Sequence, residues 1–134
     1  MIKNFHKYAN PHRFLDITEP LSKISGALSI IFLIVGTVLA LFFSPPDYQQ
    51  SETVRIMYIH VPAAWLSLLA YTFIFFMSAS YLIWKFPLFL IIAKEVTVIG
   101  LIFTIISITS GSLWGRPTWG TYWVWDARLT SFLI

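Results

Sequence analysis

The 134-residue chain contains no cysteine, and it contains few charged residues. The first absence excludes disulfides, thiol redox chemistry and cysteine-ligated metal sites from these residues. Asp, Glu, Lys and Arg make up only 11% of the sequence, whereas an average soluble domain has about 25%. The sequence also lacks a basic stripe, and its net charge is only +3. We therefore predict no binding to nucleic acid.

What the sequence has instead is apolar surface. Hydrophobic residues make up 57% of the chain and aromatic residues 18%, and the mean hydropathy is +0.76. A soluble domain of this length could not bury so much apolar surface. The composition therefore predicts an integral membrane protein that lies in a lipid bilayer.

Three apolar segments are long enough to cross a membrane, namely 24–43, 59–84 and 95–114. A helix needs about 20 residues, at ~1.5 Å each, to cross a ~30 Å hydrocarbon core. Residues 1–23 are polar and basic, and residues 129–134 look like the first turns of a fourth segment. The sequence thus predicts an all-α fold of polytopic membrane helices in a single domain, with three full spans plus the start of a fourth.

The distribution of Lys and Arg predicts how these spans are oriented. Four lie in the N-terminal flank and two in the turn around 85–94, but only one lies in the link 44–58 and two in the segment 114–128. By the positive-inside rule, the N-terminus and the turn around 85–94 lie inside, and the segments 44–58 and 114–128 lie outside. Residues 86–93 are either an interfacial lead-in or a helical extension of the third span. The first span is predicted to be an uncleaved anchor rather than a signal peptide.

The segment "SLWGRPTWGTYWVWDARLTS", residues 112–131, holds four of the six tryptophans. They are Trp114, Trp119, Trp123 and Trp125. Its glycines and proline predict a loop over 114–128 whose backbone is fixed into turns. Trp119 and Trp123 are four residues apart, so a helical turn would stack them on one face. Asp126 is predicted to pair with an arginine or to cap the helix that starts near Leu129.

The predicted topology places His60, at the start of the second span, on the same membrane face as this loop. Neutral imidazole is the commonest protein ligand for transition metals, including haem iron. Indoles offer flat apolar faces, and Arg116 and Arg128 offer forked donors for carboxylates. Together these residues indicate a site for haem, with His60 on the iron and the arginines at the propionates. Without cysteine, the haem could only be bound non-covalently.

Two other interpretations remain open. Tryptophan and tyrosine collect at membrane interfaces whatever the function, so the chain could be a structural membrane subunit with an aromatic belt. It could also be a haem b electron-transfer subunit, although such proteins usually hold haem between histidine pairs inside the bilayer. We see no nucleophile beside a histidine and no nucleotide-binding glycine loop, and we therefore predict that the protein is not an enzyme.

Two motifs carry a resemblance to a known family. "MYIHVPAAW" (57–65) and "WGRPTWGTYWVWDARLTS" (114–131) resemble the WWD-motif haem-handling membrane proteins of cytochrome c maturation. Within that group they resemble CcmC, the haem exporter protein C. The resemblance begins near residue 20 and covers most of the chain. It implies a six-helix protein of the bacterial inner membrane with a periplasmic WWD loop between helices three and four.

The resemblance also implies a function. Members of the family bind haem b and help to load it onto the periplasmic haem chaperone CcmE, with the ABC transporter CcmAB and the small subunit CcmD. His60 matches the first axial histidine of the family. The matching loop positions are Trp114, Arg116, Trp119, Trp123, Trp125, Asp126 and Arg128. The family's second axial histidine lies in a later loop that has no counterpart here, so the chain resembles the N-terminal half of such a protein.

Overall fold

The computed structural model describes residues 11–134, with side chains from Leu15 onward. This described part is helical and contains no β-strand, which confirms the predicted all-α class. Within residues 11–134, three stretches are long and apolar enough to cross a membrane, namely Leu15–Phe43, Glu52–Trp84 and Pro87–Trp119. The elements in chain order are α1 (Pro11–Val38), a π-helical turn (Leu39–Phe43), a 3-10 helix (Glu52–Ile56), α2 (Met57–Trp84), α3 (Pro87–Trp119) and α4 (Ala127–Leu133).

Residues up to Ser44 and residues from Pro45 onward form two separate compact units. In the first unit, α1 begins well before position 24, so the polar residues 11–23 continue the predicted span as helix instead of preceding it. A Glu19–Lys23 ion pair of 2.7 Å, four residues apart, supports this polar part of the helix. Residues 1–10 of the predicted cytoplasmic segment lie outside the described residues. The large apolar side chains of α1 are exposed, as expected of a surface that faces lipid.

The connection between α2 and α3 is only two residues long. Lys85 adopts the left-handed conformation (φ 54°), and its N–H donates to the carbonyl of Tyr81 at 2.8 Å, which ends α2. Phe86 is extended, and Pro87 occupies the first turn of α3, where its missing N–H costs no hydrogen bond. Of the two alternatives for residues 86–93, the structure therefore has the helical extension.

Helices α2 and α3 pack antiparallel through small residues. Ser67 faces Thr104, and Ala70 faces Gly100 so closely that a β-carbon added at Gly100 would lie 3.1 Å from the Ala70 β-carbon. The buried residues of the two helices are Ala63, Ser67 and Ala70 on α2, and Ala93, Gly100, Thr104, Ser107, Ser110 and Gly115 on α3. Membrane helices use such small residues because close backbone approach increases van der Waals contact where lipid removes the hydrophobic driving force.

Candidate functional site

Helix α3 continues into the segment that was predicted to be a loop. Residues 114–119 form its last turns, and Pro117 lies inside the helix. The helix ends at Gly120, whose φ of 77° is left-handed and whose N–H donates to the Arg116 carbonyl at 2.9 Å. The predicted loop 114–128 is therefore shorter, because only Gly120 among its glycines serves as a turn residue.

The other two glycines of this region provide space for aromatic rings. A β-carbon at Gly111 would lie 2.8 Å from Cε1 of His60, and one at Gly115 would lie 3.0 Å from Cε3 of Trp119. These contacts are closer than side chains normally tolerate. Gly111 and Gly115 are one helical turn apart. This part of the α3 surface therefore has no side chains, and the imidazole of His60 and the indole of Trp119 pack against its backbone.

A cavity of about 510 Å³ lies at this end of the α2–α3 pair. Five of the predicted site residues line it, namely His60, Trp114, Trp119, Trp123 and Arg128. The remaining wall residues include Gln50 from the 44–51 link, Ala64 and Leu68 from α2, Ser107, Ile108, Thr118 and Tyr122 from the α3 region, and Leu129 and Phe132 from α4. Arg116, Trp125 and Asp126 are not part of the cavity wall.

His60 lies half-buried between α2 and α3. Its Nδ1 is 3.0 Å from the carbonyl oxygen of Ser107 and 3.2 Å from Oγ of Ser110. Its ring centroid is 5.7 Å from that of Trp114, with the two planes tilted by 60°. The structure thus brings His60 together with the tryptophan segment, over about fifty residues of sequence, as the sequence-based topology required.

The 44–51 link contributes a wall residue that the sequence did not indicate. Nε1 of Trp114 donates to Oε1 of Gln50 at 2.9 Å. Gln50 is itself held by Asp47, whose Oδ1 accepts from the N–H groups of Gln49 and Gln50, both at 2.8 Å. The N–H of Gln50 and then that of Gln49 lower the pKa of Asp47 below its ordinary value, because both bonds favour the charged carboxylate.

The predicted helical stack of Trp119 on Trp123 is wrong. The helix ends at Trp119, so a four-residue spacing across Gly120 no longer brings the two residues onto one face. Trp123 instead packs edge-to-face with Trp125, at 5.7 Å between ring centroids and 75° between planes. The Nε1 of Trp123 is buried and has no hydrogen-bond partner among the side chains described from residue 15 onward.

The two arginines of the segment have different surroundings. Arg128 lines the cavity, lies 5.6 Å from the ring centroid of Trp119 and forms an ion pair of 3.1 Å with Asp126. Arg116 lies outside the wall, donates to the hydroxyl of Tyr122 and stacks over its ring at 4.6 Å. Of the two guanidinium groups, only that of Arg128 lies in the wall of the cavity.

Asp126 has both of the structural roles that the sequence left open. Its Oδ1 accepts from the N–H of Leu129 at 2.7 Å, which caps α4, and its Oδ2 pairs with Arg128. No group of three His, Asp or Glu side chains within residues 15–134 could hold a bare metal ion.

These features define a class: a polytopic α-helical membrane protein with an aromatic cavity that carries one histidine and one arginine. A family model described as CcmC, Heme exporter protein C, matches residues 4–134. The chain belongs to the heme exporter protein C family.

Individual relatives agree with this assignment. The chain is 48% identical over 126 residues to heme exporter protein C of Bradyrhizobium diazoefficiens, an alignment that covers 94% of this chain and 48% of that protein. It is 39% identical over 134 residues to heme exporter protein C of Escherichia coli K12, covering 100% and 55%. It is also 50% identical over 96 residues to a putative cytochrome c biosynthesis ccmC-like mitochondrial protein of Marchantia polymorpha, covering 72% and 42%. The chain spans about half the length of these relatives.

Proposed function

We propose that the protein is a non-enzymatic haem-handling subunit of cytochrome c maturation in the bacterial inner membrane. In this proposal the cavity binds haem b non-covalently at the periplasmic face, and the protein helps to pass it to a haem chaperone of the CcmE type. The observation that supports it most strongly is that His60, three tryptophans and Arg128 line one cavity. The connection to haem and cytochrome c comes from relatives named heme exporter protein C and putative cytochrome c biosynthesis ccmC-like mitochondrial protein.

The chemistry of the wall fits haem. The volume of about 510 Å³ falls within the ~300–1,000 Å³ range of small-molecule sites. Aromatic and aliphatic side chains form most of the wall, as a flat apolar macrocycle requires. The buried Nε1 of Trp123 is a donor in need of an acceptor. The propionate carboxylates of bound haem would supply acceptors for donors in the wall, and its iron would supply a partner for the imidazole of His60.

Each wall residue then has a distinct task. His60 offers an imidazole nitrogen to the iron, which is the commonest form of haem ligation. Trp114, Trp119 and Trp123 provide apolar faces and exclude water. Arg128 would offer its guanidinium to a propionate, while the same guanidinium pairs with Asp126 at 3.1 Å. The transporter CcmAB and the small subunit CcmD would act together with this protein in the proposed function.

The outward orientation rests on charge. The N-terminal flank and the turn near Lys85 carry most of the basic residues, so we propose that they face the cytoplasm. The cavity end of α2 and α3 then faces the periplasm, where a chaperone can reach it. Maleimide labelling of single cysteines introduced at Thr121 and at Lys85 in intact cells tests this directly. If an impermeant reagent labelled Lys85→Cys but not Thr121→Cys, the proposed orientation would be wrong.

The central experiment is hemin titration of the detergent-solubilised protein, followed by its absorption spectrum. We expect His60→Ala to weaken hemin binding by about 10-fold or more and to shift the absorption band, since an iron ligand is lost. The matched control is His12→Ala, which removes a histidine from the polar N-terminal part of the chain. Equal binding and an unchanged spectrum in His60→Ala would count against the proposal and favour a structural aromatic belt.

A further inference from the structure

The turn of α3 that faces His60 does more than provide space for it. We propose that Ser107, Ser110 and Gly111 form a positioning element that keeps His60 in the tautomer with a proton on Nδ1 and a lone pair on Nε2. The purpose assigned to this tautomer rests on the proposed haem site. The tautomer itself is a property of the protein without haem, so it can be tested separately.

The hydrogen-bond directions around Nδ1 fix the proton. The backbone carbonyl of Ser107, 3.0 Å away, can only accept, so Nδ1 must donate. Oγ of Ser110 donates to the carbonyl of Ile106 at 2.6 Å, which leaves a lone pair facing Nδ1 at 3.2 Å. Both neighbours are therefore acceptors toward the same ring nitrogen. A proton on Nε2 instead would leave Nδ1 and the Ser107 carbonyl facing each other as two acceptors.

The opposite ring nitrogen has no such partner. No hydrogen bond reaches Nε2 of His60 from any side chain or backbone group in the described residues 15–134. In a neutral imidazole whose Nδ1 is protonated, Nε2 carries the lone pair. His60 also lines the cavity. One residue of the cavity wall therefore carries a ring nitrogen with a lone pair. Free neutral histidine in water prefers the other tautomer, so the proposed state depends on the protein.

Gly111 sets the position of the ring. Its hypothetical β-carbon would lie 2.8 Å from Cε1 and 3.3 Å from Nδ1 of His60. Cε1 is a ring atom one bond from both nitrogens, so a methyl group here would push the whole imidazole away from the Ser107 carbonyl. Replacement of Gly111 by alanine should therefore break the hydrogen bond and displace the ring, although alanine itself favours helix.

Metal-binding histidines commonly donate their second N–H to a carbonyl or carboxylate, which fixes the ring and raises its basicity. Changes in such supporting residues typically lower metal affinity by ~10–100-fold. On this basis we expect Gly111→Ala to weaken hemin binding by about 10-fold or more. Ser110→Ala should weaken it by roughly 2–10-fold, since it removes one of two acceptors and leaves the Ser107 carbonyl. Ser110→Thr keeps the hydroxyl and should restore most of the affinity.

The tautomer is measured on the protein without hemin. In a His6→Gln/His12→Gln background, His60 is the only histidine. Its two ring nitrogens, labelled with nitrogen-15 and recorded by NMR at alkaline pH, should give one protonated Nδ1 signal and one unprotonated Nε2 signal. In Gly111→Ala the two tautomers should both be populated. A protonated Nε2 in the parent protein, or a mixture like that of a free peptide, would overturn the inference.

A purely structural role for His60 is separated by two further variants. His60→Asn retains an N–H that can donate to the Ser107 carbonyl but offers no imidazole nitrogen to a metal. It should preserve the unfolding midpoint and lose hemin affinity. Gly36→Ala in α1, where a β-carbon meets nothing within 4 Å, is the control for replacing a helical glycine. It should change neither the His60 signals nor hemin binding.

The two proposals fail in different ways. If His60→Ala binds hemin like the parent protein, the ligand role fails, whereas the NMR result still decides the tautomer. If His60→Ala loses hemin but Gly111→Ala keeps both the affinity and the absorption spectrum of the parent protein, the ligand role stands. The positioning role of α3 would then be wrong.

Discussion

The α2–α3 pair is built differently at its middle and at its tryptophan-rich end. At the middle, Ser67, Ala70, Gly100 and Thr104 bring the two backbones close together and leave no space between them. At the other end, His60 and Trp114 meet around a cavity of about 510 Å³. Small residues thus set the distance between the helices at the middle, and large aromatic rings line the cavity at the end. The comparison predicts that changes at the middle alter stability, whereas changes at the end alter binding.

The largest loss of stability should follow from overpacking the middle. In Gly100→Leu the β-carbon alone approaches that of Ala70 to 3.1 Å, so the helices must separate. We expect the free energy of unfolding to fall by ~1–3 kcal/mol, measured by denaturation in mixed micelles. Gly36→Leu, in open space on α1, is the control and should change it by much less. Equal stability of the two variants would show that the close contact is unimportant.

A change at the tryptophan-rich end should separate binding from stability. Trp123→Phe keeps an aromatic ring but removes the buried, unpartnered N–H. Since an unsatisfied buried donor costs ~1–3 kcal/mol, the hemin-free protein should be as stable as the parent or more stable. Hemin affinity should fall by roughly 2–10-fold if that N–H bonds to the ligand. Lower stability with unchanged affinity would instead identify Trp123 as a packing residue.

A smaller effect is expected from the buried hydroxyl pair. Thr104 donates to the Gly100 carbonyl at 2.8 Å, so Ser67 is the donor in the 2.6 Å bond to Thr104. A double-mutant cycle of Ser67→Ala and Thr104→Ala should give a coupling energy of about 0.6 kcal/mol, the average for membrane helix pairs. Hemin affinity should not change in either single variant. Additive effects of the two substitutions would mean that the bond adds no stability.

The smallest effect concerns pH and the 44–51 link. The N–H groups of Gln50 and Gln49 lower the pKa of Asp47, so its folded pKa is below the unfolded value of ~3.9. The carboxylate therefore stabilises the link fully above ~3.9, and this contribution is lost as pH falls through the folded pKa. Because Gln50 binds Trp114, tryptophan fluorescence should change in this acidic range. Asp47→Asn keeps an acceptor oxygen without titrating, and it should show no such change in that range.

The sequence predicted the membrane spans because an uncharged run of sufficient length has few alternatives. It misassigned residues 114–119 because glycine and proline were taken as turn residues, whereas Gly111 and Gly115 provide close contacts inside a helix. A signal for this existed, since small residues recur every three or four positions from Gly100 to Gly115.

The cavity was only partly predictable. His60, three tryptophans and Arg128 were identified by their chemistry, but their separation from Arg116 and Trp125 depends on where α3 ends at Gly120. Gln50 could not be found, because a glutamine in a polar link gives no local indication that it will bind an indole 64 residues away. Pairings of this kind are decided by tertiary packing and not by local pattern.

The ion pair between Arg128 and Asp126 has a mechanical consequence. Arg128 belongs to the first turn of α4 and to the cavity wall, while Asp126 caps that same helix. An anion that attracts the guanidinium must share it with the capping carboxylate. In the proposed haem site, binding of a propionate to Arg128 would therefore disturb the capping of α4.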